Sequence, residues 1–266
     1  MFPLWVTEWE RRKHYLLWQL LALMDSSRPF IACLEEVDMF PFLSSNLTQL
    51  GFQCAFLPKP ASPCLEKPDN GRPDGCALVW SGSLRALRLD ALHLMDGQSY
   101  STTPTTAITE LAVPTSQPAC TKVTIIGTFS PAENPTNSFR VVVTFEGQTW
   151  IQKHPRCWRC SWNEVLIIIH SIANHFCILR SVLSLGSIIL KHLQENSGHR
   201  HEPTIVCGDF NAVPGEPVYE RFRESGFSSA YAMCSAEGSE PPFTNCTVSA
   251  FGGFRLVSCQ GFLLSY

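Results

Sequence analysis

The sequence predicts a mixed α/β fold, and three observations carry that prediction. Short apolar runs of strand length alternate with segments of helical period through the first 80 residues. Two further runs rich in β-branched and aromatic residues stand at 123–129 and 139–145. Acidic residues sit where two of the apolar runs end, which is where α/β folds assemble their sites.

Residues 8–24 read as an amphipathic helix, because Leu17, Leu20, Leu21 and Met24 recur at helical spacing. Thr7 followed by Glu10 fits a capping box at its start, each side chain satisfying a backbone donor of the other residue. The apolar run 30–34 has strand length and delivers Glu35, Glu36 and Asp38 at its carboxyl end. Leu43, Leu47 and Leu50 predict a second short helix, closed by Gly51 as a C-cap. A strand at 52–57, a proline-rich loop at 58–73 and a strand at 76–80 follow.

Residues 97–122 are rich in Ser, Thr and Pro, a linker composition, and 97–200 as a whole reads as an atypical linker or insert around the two β-rich runs. Order returns at 204–207, a buried strand with Gly208-Asp209-Phe210-Asn211 at its end. Residues 218–224 predict a short helix stopped by Gly226. There is no internal repeat.

The hydrophobic content of 45% against 16% charged residues supports a sizeable core and excludes global disorder. With 20 basic and 23 acidic residues the formal net charge is -3, so nothing pulls a polyanion from a distance and any phosphate binding is local. The twelve cysteines are irregularly spaced, and the amino terminus lacks the basic-then-apolar order of a secretory signal. The thiols are therefore expected to stay reduced and pack as small hydrophobes. Residues 165–190 are apolar but carry His170, Asn174, His175 and Arg180. They predict a buried helix or two buried strands, not a membrane span. The expected compartment is the cytoplasm, although a longer form could carry a mitochondrial address.

Two minor patterns weigh less. Cys157 and Cys160 with His170 and His175 hint at zinc, but the gap between the pairs is shorter than the usual spacing of about twelve. Lys153, Arg156 and Arg159 interleave with Trp158 and Trp162 as a stacking surface for single-stranded nucleic acid would, against the overall charge.

The chemistry lies in two acidic clusters, Leu34-Glu35-Glu36-Val37-Asp38 and Cys207-Gly208-Asp209-Phe210-Asn211. Carboxylates suit a hard cation, and magnesium typically takes one or two of them plus water and substrate phosphate. An Asp-x-Asn pair leaving a strand sends both side chains to one side, one to orient a water and the other to donate to a phosphoryl oxygen.

Gly208-Asp209-Phe210-Asn211-Ala212, paired with Leu34-x-Glu36-Val37-Asp38, resembles the signature of the endonuclease/exonuclease/phosphatase superfamily. Further strings resemble its deadenylase-related branch: Trp9-Glu10-x-Arg12-Lys13, Phe56-Leu57-Pro58-Lys59-Pro60-x-Ser62-Pro63-Cys64-Leu65, Pro73-Asp74-Gly75-Cys76-Ala77-Leu78 and Ser239-Glu240-Pro241-Pro242-Phe243. They fall in about 9–80 and 203–243. The resemblance implies an α/β sandwich of two mixed β-sheets flanked by helices, with an irregular middle segment, in one domain spanning 1–266. It also implies magnesium-dependent hydrolysis of phosphate esters. By that resemblance Glu36 is the metal ligand, and Asp209 and Asn211 orient the attacking water and hold the phosphate. Lys59 and Asn211 contact substrate. The implied substrate is NADP(H), losing its 2′-phosphate. Shortening of poly(A) RNA and non-catalytic binding of an adenylate-containing nucleotide are the alternatives, and a monomer is the expected state.

The sequence also departs from the pattern. An amino-terminal strand bearing an active-site Asn, a Thr-His-Leu-Lys-Ala string and a Ser-Asp-His string do not occur in it, and Glu35 stands where the family usually has Gln. Segments 145–190 and 244–266 resemble translated non-coding sequence or altered splicing. Residues acting as one catalytic unit fail together, so weak or absent turnover is the expectation for this chain as written.

Overall fold

A computed structural model of the chain describes residues 8–24, 29–60, 62–66, 72–94, 98–112, 122–146, 185–196, 202–210, 212, 214–240, 245–248, 254–257 and 260–265. Two mixed β-sheets face one another with helices on their outer faces, the architecture that the resemblance implies.

The smaller sheet has the order β1-β3-β2-β6, built from Ile31–Leu34 (β1), Gln53–Pro58 (β2), Gly75–Trp80 (β3) and Ile108–Glu110 (β6). β1 and β2 both run antiparallel to β3, so they are parallel to one another and end on the same side, where β3 begins. The larger sheet has seven strands in the order β10-β13-β9-β8-β7-β4-β5. These are Leu84–His93 (β4), Ser99–Thr102 (β5), Lys122–Pro131 (β7), Phe139–Glu146 (β8), Thr204–Asp209 (β9), Ser228–Ser229 (β10) and Gln260–Ser265 (β13). β8 and β9 are parallel, and the other pairs are antiparallel. Asn245–Val248 (β11) and Phe254–Val257 (β12) form a separate two-stranded pair.

Alternation along the strands fills the interlayer. Ala55 and Leu57 of β2, and Cys76, Leu78 and Trp80 of β3, meet Val123, Ile125 and Phe129 of β7 and Val141 and Val143 of β8. Trp80 and Phe129 are wholly buried with ring centroids 5.5 Å apart; burying one such side chain stabilises by about 1.5–3 kcal/mol. The opposite faces bury against helices. Phe40 and Leu47, on the helix Phe40–Gln49 (α2), pack with Cys54, Phe56, Ala77 and Val79. Leu17, Leu20, Leu21 and Met24, on or just after the helix Trp9–Leu23 (α1), cover the same face. On the larger sheet, Ile126, Val142 and Val206 meet Leu185, Ile189 and Leu193 of a helix over 185–195 (α3) and Val218 and Phe222 of the helix Pro217–Glu224 (α4). A short helix, Ala230–Cys234 (α5), completes the set.

The predicted helix ends are resolved in detail at two glycines. After α2, Gly51 adopts φ 86°, its N–H donates to Thr48 at 3.0 Å and the Phe52 N–H donates to Leu47 at 3.1 Å. After α4, Gly226 adopts φ 88°, its N–H donates to Arg223 at 3.0 Å and that of Phe227 to Phe222 at 3.1 Å, while the Phe222 and Phe227 rings meet edge to face. Both are Schellman motifs, which require a left-handed residue and satisfy carbonyls that the helix leaves open.

The start of α1 differs from the expected capping box. Thr7 lies outside the described residues, the N-cap is Glu8 without a side-chain cap, and the Glu10 carboxylate pairs with Lys13 instead. An i,i+3 ion pair on an exposed surface competes for the same carboxylate that the box would use.

Within 97–200, the stretch expected as a linker supplies the edge strands β5 and β6, whose pairing with β4 and β2 overrides a Ser/Thr-rich composition; residues 122–146 supply the adjacent strands β7 and β8, and 185–195 supply α3. The remainder of 147–184, including Lys153, Arg156, Cys157, Trp158, Arg159, Cys160, Trp162, His170 and His175, lies outside the described residues. Among the described residues no helix is long and apolar enough to cross a membrane.

Candidate active site

The carboxyl ends of β1, β2, β8 and β9 and the beginnings of β3 and β7 share one rim of the sandwich. Two sulfur contacts tie the sheets together there. The Cys76 thiol donates to the Val123 carbonyl at 3.6 Å, and the thiols of Cys33 and Cys207 share a hydrogen bond across the interlayer. That hydrogen bond, with burial and the nearby charge of Glu35, pushes the Cys33 thiol well up. Burial does the same to Cys76, reinforced by Glu35 and Asp74 and opposed by Lys59. Cys33, Cys54, Cys64, Cys76, Cys207 and Cys234 are free. Burial and raised titration make Cys33, Cys54 and Cys76 unreactive packing groups, as expected for the reduced state.

Glu36 is exposed on the rim just beyond β1. Its φ is 53°, and it is the one non-glycine residue with positive φ among those described. The left-handed region costs a side-chain-bearing residue about 1–2 kcal/mol, so the surrounding structure must hold it there. The hold is visible one residue later. Val37 is buried, and its N–H donates to the Gly75 carbonyl at 3.0 Å, anchoring the turn to the start of β3. Gly75 is needed at that point, since a Cβ on it would lie 2.1 Å from the Leu57 carbonyl oxygen of neighbouring β2.

Lys59 follows β2 on the same rim. It is only 4% exposed, and its Nζ donates to Asp74 Oδ2 at 2.6 Å. The second carboxylate oxygen of Asp74 accepts a short hydrogen bond from the Ser62 hydroxyl. The Ser62 oxygen in turn accepts from the Asp74 and Cys64 N–H groups at 2.9 and 3.1 Å. The Lys59 N–H donates to the Asp74 carbonyl at 2.8 Å. Asp74 and Ser62 stand inside strings that carry the family resemblance, but sequence reasoning gave them no role.

Asp209 ends β9, opposite Phe145 of β8, and follows directly on Gly208. Asn211 lies outside the described residues. The structure therefore brings Glu36, Lys59 and the backbone position of Asp209 to one rim, together with Glu35. Gly208 makes this approach possible. A Cβ there would stand 2.6 Å from Thr144 Cγ2 and 2.7 Å from the Thr144 oxygen, and Thr144 cannot yield because its hydroxyl is fixed to Thr124 at 2.7 Å. Gly208→Ala is expected to push β9 from β8, costing about 1–3 kcal/mol in urea denaturation. It should also move Asp209 and lower catalysis beyond what lost stability explains. Unchanged stability would contradict this packing.

At the other end of the second motif region, the Tyr219 hydroxyl of α4 donates a short hydrogen bond to the Glu240 carboxylate. Burial and that bond push the phenol up to about 12, so it stays a donor and fastens the Ser239-Glu240 string to α4.

Hard oxygen donors fit magnesium. Among the described residues no group of three or more His, Cys, Asp or Glu side chains could hold a metal by itself. A site for magnesium needs fewer, since the ion keeps several waters and takes one or two carboxylates.

Comparison with known proteins agrees with the geometry. The Endonuclease/Exonuclease/phosphatase family profile matches residues 7–257. Nocturnin of Homo sapiens is 32% identical over 257 residues, covering 95% of this chain and 48% of that protein. Nocturnin of Xenopus laevis is 30% identical over 256 residues, with 95% and 53% covered. The chain thus spans about half the length of these relatives. The solved human Nocturnin catalytic domain with bound sulfate superposes with a TM-score of 0.67 at 28% identity, covering 97% of this chain and 76% of that one. Two mixed sheets flanked by helices, acidic residues at one rim and a match over nearly the whole sequence make this chain a nocturnin-like member of the endonuclease/exonuclease/phosphatase family.

Proposed function

We propose that the chain is a magnesium-dependent phosphoesterase that removes the 2′-phosphate of NADP(H), leaving NAD(H) and inorganic phosphate. The observation that carries this reading is Glu36, held in a left-handed conformation on the rim where the buried Lys59 is paired with Asp74. Backbone strain of this kind persists where function requires a particular aim.

In this reading Glu36 holds the magnesium ion, which when bound would supply charge stabilisation at a phosphoryl oxygen. Lys59 donates to the phosphate, and its fixed positive charge becomes more valuable as negative charge develops on the transferring group. Asp209 and Asn211 orient the attacking water and hold the phosphate, as the family resemblance implies. Turnover by these 266 residues is expected to be low, because no Ser-Asp-His string occurs among them. The free cysteines fit a reducing compartment such as the cytoplasm, and the chain is expected to act as a monomer.

The deadenylase alternative parts from this reading in its product. Purified chain is incubated with magnesium and either NADPH or a 3′-terminal oligoadenylate. Phosphate from NADPH with an intact oligonucleotide is the expected result. Release of 5′-AMP from the oligonucleotide without phosphate from NADPH would replace the proposal with the deadenylase one.

A further inference from the structure

A buried ammonium is costly unless a carboxylate and further hydrogen bonds compensate it. Lys59 has both, and the arrangement has a direction. Asp74 uses one oxygen for Lys59 Nζ and the other for Ser62, so its carboxylate cannot rotate away from the lysine. Ser62 is itself fixed by accepting from two backbone N–H groups. The Lys59 and Asp74 main chains are joined at 2.8 Å, in the register that pairs Pro58 with Gly75. The Gly75 carbonyl, one residue on, receives the Val37 N–H that anchors the Glu36 turn. One short stretch, Asp74-Gly75, therefore sets the position of both the cation and the carboxylate of the site.

We propose that Asp74 is the positioning residue of the site: clamped by Ser62, it aims the Lys59 ammonium at the phosphate of a bound nucleotide. This rests on the reading of Lys59 as a phosphate contact. An ammonium has three N–H donors on a flexible stem, and a fixed carboxylate partner restricts the directions in which the others can point. The role is distinct from a merely structural ion pair, because it makes the effect of Asp74 on nucleotide binding depend on the presence of Lys59.

The test measures NADPH affinity of the full chain, by nucleotide fluorescence in EDTA so that no turnover intervenes. It compares the wild type with Asp74→Asn, Lys59→Met and the double variant. Thermal denaturation of each confirms that it is folded at the assay temperature. Asp74→Asn is expected to weaken binding about 10–100-fold, the range for partners that orient a liganding group. The double variant should bind no more weakly than Lys59→Met alone. Ser62→Ala keeps the charge pair and removes the clamp together with the acceptor for the Cys64 and Asp74 N–H groups, and it serves in place of Asp74→Asn should that variant not fold. It is expected to weaken binding by a smaller factor, again only when Lys59 is present. Additive losses, or wild-type affinity in Asp74→Asn or Ser62→Ala, would overturn the inference while leaving Lys59 as a substrate contact. Equal affinity in the wild type and Lys59→Met would overturn the phosphate contact itself, and this inference with it.

Discussion

Glu36→Gly is expected to abolish turnover and yet to yield a more stable protein than Glu36→Ala, by about 1 kcal/mol. Both substitutions remove the carboxylate, and in the role proposed for Glu36 that loses a metal ligand worth several kcal/mol of transition-state stabilisation, lowering the rate by about 10³-fold or more. They differ in the backbone. At a φ of 53° an alanine keeps the steric cost of the left-handed region, whereas glycine does not. Paired urea denaturation and phosphate-release assays separate the two effects. Equal stability of the two variants would show that the turn is not strained. Full activity in either would show that the strain serves something other than this carboxylate.

Asp90→Asn is expected to destabilise the fold by about 2–3 kcal/mol at neutral pH. Asp90 is a buried residue of β4 whose carboxylate receives Arg88 Nε at 2.7 Å and a short hydrogen bond from the Ser101 hydroxyl of β5. His192 Nε2 of α3 lies 3.5 Å away. Arg88 also reaches Asn196 at 3.1 Å, so the network fastens the end of the α3 segment to the sheet edge. A second tie is Arg140 of β8, which donates to the Leu193 carbonyl at 3.0 Å and pairs with Glu202 at 3.3 Å. Burial alone would raise the Asp90 carboxyl, but His192, Ser101 and Arg88 outweigh it and hold the group below its ordinary value. Its contribution is therefore fully present above the unfolded carboxylate pKa of about 4 and is lost as pH falls through the lower folded value. The stability gap between wild type and Asp90→Asn should be widest near pH 7 and close in strong acid. A gap that does not change with pH would mean that packing, not charge, holds α3 in place.

The elements with clean periods were legible in the sequence. Leu17, Leu20, Leu21 and Met24 marked α1, and Gly51 and Gly226 marked helix ends because only a left-handed residue closes a Schellman motif. β4 was not legible, and its geometry says why. Leu84 and Ala86 face the interlayer, then the register shifts between Ala86 and Arg88, and Leu89 and Ala91 face inward instead. A bulge moves the inward set from even to odd positions, so the period of two is broken in the middle of the strand. Its Leu-, Ala- and Arg-rich composition favours helix, and pairing with β5 and β7 overrides that preference. Glu36 and Lys59, which fall on one rim, were readable as candidates through their flanking strings. Their dependence on Asp74 was not, because a buried ion pair joins residues fifteen apart in the chain, at the paired ends of two strands. Neither composition nor period reports such a contact.

The central claim, that a carboxylate-held magnesium at this rim hydrolyses the 2′-phosphate of NADP(H), is tested most directly by following phosphate released from NADPH. The folded 266-residue chain and its Glu36→Ala variant are assayed with magnesium and with EDTA. The account predicts slow release by the wild type that requires magnesium and disappears in the variant. Release that persists in EDTA or in Glu36→Ala, or a folded wild type that releases none, would contradict it.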